Sequence, residues 1–103
     1  MLLLAAVLSR SMSRVTWGRA VDKQLARIPE LIVRKFRIWV ALVEESGIRE
    51  VRKYKGFHDE PLKGQRRGQR SVRLNSDYRA IYIERETGKL ELIEVVEVNK
   101  HDY

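Results

Sequence analysis

A chain of 103 residues, 44% of them hydrophobic, has material for one modest core, which excludes a two-domain organisation. Its 21 basic and 14 acidic side chains leave a net charge of +7, so composition favours an anionic partner. There is no cysteine, which excludes disulfides and thiolate metal sites and is compatible with a reducing cytoplasm.

Leu2 to Leu8 is an apolar run, well short of the roughly 20 residues that cross a bilayer. No basic residue precedes it as in a secretory signal, so no membrane partner is expected. Met12 directly precedes a short β-forming segment, Ser13 to Trp17, bounded by Gly18. Residues 1–11 are therefore read as an extension, with Met12 as an alternative start, and residues 12–103 as the single domain. A helix is expected over Arg19 to Arg27, with Ala20, Val21, Leu25 and Ile28 as its apolar stripe. Pro29 suits the first turn of a second helix. In that helix Ile32, Phe36, Trp39 and Val43 recur at spacings of 4, 3 and 4, and Gly47 is a natural stop. This spacing accounts for the aromatics as core rather than as a base-stacking platform.

A short helical turn over Ile48 to Tyr54 precedes a loop from Gly56 to Arg67, broken by Pro61 and glycines. Three strands follow: Gln69 to Leu74, Tyr78 to Glu84, and Leu90 to Lys100. They are joined at Asn75 to Asp77 and at Glu86 to Lys89. The expectation is an α+β domain in which an N-terminal strand, a helical hairpin and a three-stranded antiparallel meander form one sheet.

Charge is placed unevenly along this order. Residues 1–48 carry a net +4, residues 49–79 a net +6, and residues 80–103 a net −3. A charge run is ordinarily a solvated face. Here it is interleaved with Gly56, Gly64 and Gly68 among loops and strands, which favours a surface that grips nucleic-acid phosphates, RNA above DNA. Arg49, Arg52, Lys53, Lys55, Arg66, Arg67 and Arg70 are its candidate RNA-binding cations.

Metal-free RNA cleavage needs a base for the ribose 2′-hydroxyl, an acid for the departing 5′-oxygen, fixed cations for the phosphorane, and alignment of the attack. Glu60 is the candidate base, held ionised by Lys63 and the surrounding arginines. Arg73 and Arg79 offer planar forks to phosphate oxygens, and Lys63 supplies a point charge. Strand alternation sets Ser71 and Arg73 on one face against Val72 and Leu74 on the other, and puts Asn99, His101 and Tyr103 on one face. His101 exchanges protons near neutral pH, and Tyr103 suits stacking or a phosphate contact. Each has a structural competitor: Glu60 pairing with a neighbouring arginine, Arg79 bracing the sheet against Glu94 or Glu97, His101 as an exposed terminal residue. Tyr78 and Tyr82 read as packing residues, and His58 and Asp59 as loop-shaping groups. His58 and His101 have no short ligand spacing, so neither a metal nor another cofactor is expected.

The runs EPLKG (Glu60 to Gly64), GQRSVRLN (Gly68 to Asn75), YRAIY (Tyr78 to Tyr82) and EVNKHDY (Glu97 to Tyr103) together resemble the RelE/ParE superfamily of bacterial toxins, nearer its RelE and YoeB branch. The resemblance extends from Val15 to the end. It implies the fold already read from the element order, and a metal-independent, ribosome-dependent endoribonuclease that cuts messenger RNA and is neutralised by a cognate antitoxin. It also implies that Glu60 is the base, that Arg73 and Arg79 stabilise the scissile phosphate, and that Tyr103 is the terminal tyrosine. This chain ends His101-Asp102-Tyr103 where YoeB-like chains end in His-Tyr, a departure that bears on His101. A ParE-like inhibitor of DNA gyrase is the alternative on the same fold, and a non-catalytic RNA-binding module is a third. The cleavage set of Glu60, Arg73, Arg79, His101 and Tyr103 weighs against the gyrase reading.

Overall fold

The computed structural model describes residues 12–100. Along the chain these form β1 (Met12–Trp17), α1 (Arg19–Leu25), α2 (Glu30–Ser46), α3 (Ile48–Arg52), β2 (Glu60–Pro61), β3 (Arg70–Arg73), β4 (Tyr78–Thr87) and β5 (Leu90–Lys100). Single 3₁₀ turns at Lys55–Phe57 and Gly64–Arg66 flank β2. The strands make one sheet in the order β1-β5-β4-β3-β2, with β1 parallel to β5 and every other pair antiparallel.

The expected α+β order is therefore present, with one strand more than the meander required. Glu60–Pro61, expected within a loop, pairs with Arg70 and Ser71 as the sheet edge, where a proline costs no ladder bond on its solvent side. The second helix starts one residue later than expected. Pro29 stands just outside it, its carbonyl accepting from the Ile32 and Val33 N–H groups. β4 runs on to Thr87, so the last hairpin turns on two residues, with Gly88 supplying a positive φ of 60° at the first.

One face of the sheet carries the core. Ile32, Phe36, Trp39 and Val43, the helical stripe read from the sequence, are all buried in α2. They pack with Val72, Ala80, Tyr82, Ile93, Val95 and Val98 from the sheet. An aromatic chain runs Trp17, Phe36, Trp39, Tyr82 with centroid separations of 5.1, 6.1 and 5.4 Å, within the favourable range for ring pairs. No described residue accepts the buried Trp39 indole N–H.

Between Ile81 and Tyr82 the β4–β5 register slips, Ile81 facing Glu97 and Tyr82 facing Val95, so Val96 is an extra residue in β5. Strict alternation would turn Glu97 to the same face as Val95, into the core. The bulge instead turns Glu97 and Asn99 to the open face while Val95 and Val98 both stay buried.

Gly47 joins α2 to α3 at φ 86°, ψ 155°, a region essentially closed to side-chain-bearing residues. Its N–H closes α2 on the Val43 carbonyl at 2.7 Å, and the next N–H, of Ile48, donates to Glu91 Oε1 at 3.0 Å. Gly47→Ala should destabilise the fold by about 1–3 kcal/mol, read as a lower urea midpoint with an unchanged slope.

Candidate functional site

The open face of the sheet presents two rows of side chains. Register carries the first row across four strands, from Glu60 to Ser71 to Ile81 to Glu97. The second row runs from Arg73 to Arg79 to Asn99. Three of the residues expected to do chemistry, Glu60, Arg73 and Arg79, are thus neighbours on one surface.

Arg79 joins the two rows. It is 7% exposed, and its Nη1 donates to Ser71 Oγ at 3.0 Å and to Glu60 Oε1 at 3.4 Å. On the far side of Glu60, His58 Nε2 lies 3.5 Å from Oε2. The order His58, Glu60, Arg79, Ser71 is a continuous polar line, and the bracing of Arg79 against Glu94 or Glu97 does not occur. Those carboxylates take Arg85 and Arg66 instead. The Glu60 side chain is 42% exposed, and a pair so open to water is worth at most about 1 kcal/mol. Its consequence is orientation: Arg79 holds the carboxylate aimed along the face.

The opposite side of the same edge explains how Glu60 is held. Asp59 points away from it, into the protein, with a side chain only 1% exposed. Its carboxylate accepts from the Tyr82 hydroxyl at 2.5 Å and from Arg70 Nε at 2.7 Å, and Arg52 Nε stands 3.8 Å away. Arg52 is shared with Tyr82 Oη at 3.4 Å and with Glu84. Burial first, then the hydrogen bond and the charge of Asp59, raise the Tyr82 phenol pKa well above its ordinary value, against a smaller opposite pull from Arg52. For Arg70, burial works against the charged form, but the hydrogen bond and charge of Asp59 outweigh it and the pKa is raised. Neighbouring residues of one extended segment face opposite ways, so anchoring Asp59 inward displays Glu60 outward. His58, in a left-handed conformation at φ 44°, makes the bend that lets the segment enter.

The candidate RNA-binding cations divide accordingly. Arg52 and Arg70 are tied into the Asp59 cluster, and Arg66 bonds Glu97 at 2.6 Å and Gln69 at 3.0 Å. That reach carries Arg66 across β3 and β4 on the open face, where Ile81 is buried apart from the main core. Lys53 pairs with Glu50 at 3.2 Å. Arg49, Lys55, Lys63, Arg67 and Arg73 are exposed and make no ion pair among the described residues. Arg49, however, borders a cavity whose other charged residues are Glu44, Glu45, Glu50, Glu86 and Glu91, so the surface from 49 to 70 is not uniformly basic. His101 and Tyr103 lie outside the described residues. Sequence reading missed Ser71 and His58 as site neighbours and Asp59 as an anchor. The alternation that placed Ser71 beside Arg73 was the available signal for the first.

The sequence matches no family model and no curated protein. Its fold does have counterparts among solved structures. A YoeB/ParE toxin from Agrobacterium tumefaciens superposes with a TM-score of 0.63 at 21% identity, over 86% of this chain and 99% of that one. YafQ from E. coli gives 0.68 at 15% identity, over 87% and 94%. The archaeal RelE–RelB complex of Pyrococcus horikoshii gives 0.60 at 23%, over 86% and 94%. The chain has the fold of RelE/ParE-superfamily toxins, with the RelE, YoeB and YafQ members well represented among its matches.

Two outcomes test the anchor. Asp59→Ala leaves two arginines and a phenol short of an acceptor. Because both arginines keep about a quarter of their surface in water, the loss should be about 1–3 kcal/mol, short of the full penalty for an orphaned buried charge. The raised Tyr82 pKa gives the second outcome. Below the ordinary phenol value of about 10 both folded and unfolded chains hold this proton, and its contribution to stability is complete. Above it the unfolded chain releases the proton first, so stability falls as pH rises. Chemical unfolding of wild type between neutral and alkaline pH should show this decline, and Tyr82→Phe should show less of it.

Proposed function

We propose that this protein is the toxin of a type II toxin–antitoxin system, an endoribonuclease that cuts messenger RNA on the ribosome. The observation that carries the proposal is the line His58, Glu60, Arg79, Ser71 with Arg73 beside it on an open sheet face. The toxin fold supports the same reading.

In the mechanism that follows, Glu60 takes the proton of the ribose 2′-hydroxyl, whose oxygen attacks the adjacent phosphorus. The bond from phosphorus to the 5′-oxygen breaks, leaving a 2′,3′-cyclic phosphate and, once that oxygen is protonated, a 5′-hydroxyl end. Arg73 and Lys63, in no ion pair among the described residues, receive the phosphate oxygens, and Arg79 adds a fixed positive charge just beneath them. The leaving oxygen's proton comes from a histidine. His101 is the residue that the family resemblance offers, and His58 stands 3.5 Å from Glu60. Base, acid and charge stabilisation are all assigned to side chains, so the reading calls for no metal or other cofactor. Exposed cations such as Lys55 and Arg67 contribute attraction to ribosomal RNA, and the protein works in the cytoplasm, where ribosomes and messages are.

The proposal includes a cognate antitoxin, as in the RelE–RelB complex and the YoeB–YefM complex of Staphylococcus aureus. The name of the Agrobacterium toxin joins YoeB to ParE, which keeps gyrase inhibition as the second reading. Primer extension on messages after induction separates the two. New 5′-hydroxyl ends are expected, whereas intact messages with a DNA-damage response establish the gyrase reading instead. Glu60→Gln and Arg73→Ala should each lower cleavage by roughly 10²- to 10⁴-fold, with ribosome co-sedimentation retained. Full cleavage by both variants would remove the assigned site.

A further inference from the structure

A second cationic surface lies at the end of the sheet, outside the charged segment that sequence reading selected. β1 stops at Trp17, opposite Val95, so beyond that point the outer edge of β5 has no strand beside it. α1 takes the place: Gln24 Oε1 accepts from the Val98 N–H at 2.7 Å, fixing helix to strand. Past this clamp a cleft of about 420 Å³ opens between them. Lys23 and Arg27 stand on one wall and Lys100 on the other, with Ile28, half-buried Tyr78 and Asn99 between.

Three features of this cleft bear on what enters it. Among the described residues, none of its three cations is in an ion pair and no carboxylate lines it. Like charges held around one cleft repel unless an anion comes between them. Strand N–H groups alternate between the two edges, so the Lys100 N–H faces the same outer edge as that of Val98 and is a further donor. Finally, Tyr78 gives the cleft an aromatic surface and Ile28 an apolar one, which a simple inorganic anion does not need and a nucleobase does.

The cleft also adjoins the candidate site. Asn99, on its rim, is the register partner of Arg79, and Tyr78 precedes Arg79 and faces Lys100. We infer that the cleft between α1 and the end of β5 binds a nucleotide of the single-stranded RNA substrate next to the scissile phosphate, Lys23, Arg27 and Lys100 taking its phosphates and Tyr78 its base. The inference rests on the ribonuclease reading and extends it. The strand passes from Arg79 over the end of β4 and β5 into the cleft, so it is gripped on both sides of the bond that breaks.

The test uses the full-length protein, fluorescence anisotropy with a short single-stranded RNA across a salt series, and ribosome co-sedimentation. The combined variant Lys23→Ala, Arg27→Ala, Lys100→Ala removes exposed side chains only and should fold. Its oligonucleotide binding should weaken, and the slope of log affinity against log salt should fall by about 2, at roughly 0.7 for each phosphate left without its cation. Tyr78→Leu keeps apolar volume and should weaken binding with the slope unchanged, whereas Tyr78→Phe should bind as wild type. An unchanged slope in the triple variant overturns the inference while leaving the ribonuclease reading in place. Loss of ribosome binding with oligonucleotide binding intact assigns the cleft to ribosomal RNA and also overturns it. So does displacement of the RNA by poly-glutamate as readily as by unlabelled RNA, which marks a site for acidic protein. A wild type that neither binds nor cleaves RNA overturns both readings together.

Discussion

Asp59 sits where a carboxylate is costly to keep, its side chain almost wholly removed from water. It is tolerated because a phenol, one guanidinium at hydrogen-bond distance and a second nearby surround it. Much of the candidate site depends on that arrangement. Glu60–Pro61 is too short a strand to hold itself on the sheet by two residues of pairing. The anchor beside it supplies what the ladder lacks. With Asp59 fixed on the helical side, its neighbour must emerge on the open side, where Arg79 meets it.

The second constraint lies in β5. Val95 and Val98 are three residues apart and both belong to the core, which no regular strand permits. The extra residue at Val96 resolves the conflict and delivers Glu97 and Asn99 to the open face. Glu97 then holds Arg66 across the sheet, and Asn99 stands beside Arg79. Core packing and site geometry are thus set by the same irregularity: a slip that removed it would misplace both.

What could be read from the chain follows from which contacts are local. The stripe Ile32, Phe36, Trp39, Val43 declares itself through helical spacing, and the split between Ser71 with Arg73 and Val72 with Leu74 follows from a period of two. Glu60, Arg73 and Arg79 were legible as a group because short motifs carry them, although their roles stand on the chemistry proposed above. β2 was not legible: two residues containing a proline have no periodicity, and their pairing with β3 spans the whole Gly64–Arg66 turn. Nor was the fate of the arginines. Arg66 finds Glu97 and Arg52 finds Glu84 across some thirty residues of chain, and only the fold decides that these charges are engaged internally. Lys23, Arg27 and Lys100 were invisible as a group for the same reason, since helix and strand bring together residues from the two ends of the domain.

These differences change what the net charge means. Arg52, Arg66, Arg70 and Arg79 are each held by carboxylates of the protein, so they add little to the distant field but are fixed in place. Fixed dipoles and charges stabilise a developing anion without having to reorganise when it forms. Lys23, Arg27, Lys63, Arg67, Arg73 and Lys100 have no such partner among the described residues and project their charge into solvent. They govern encounter and its salt dependence. A surface built to bind RNA alone would need only the second group. The presence of a fixed group beside a half-exposed carboxylate distinguishes this face from a simple basic patch, and under the proposed cleavage reading a reacting phosphate, rather than a resting one, is its better complement.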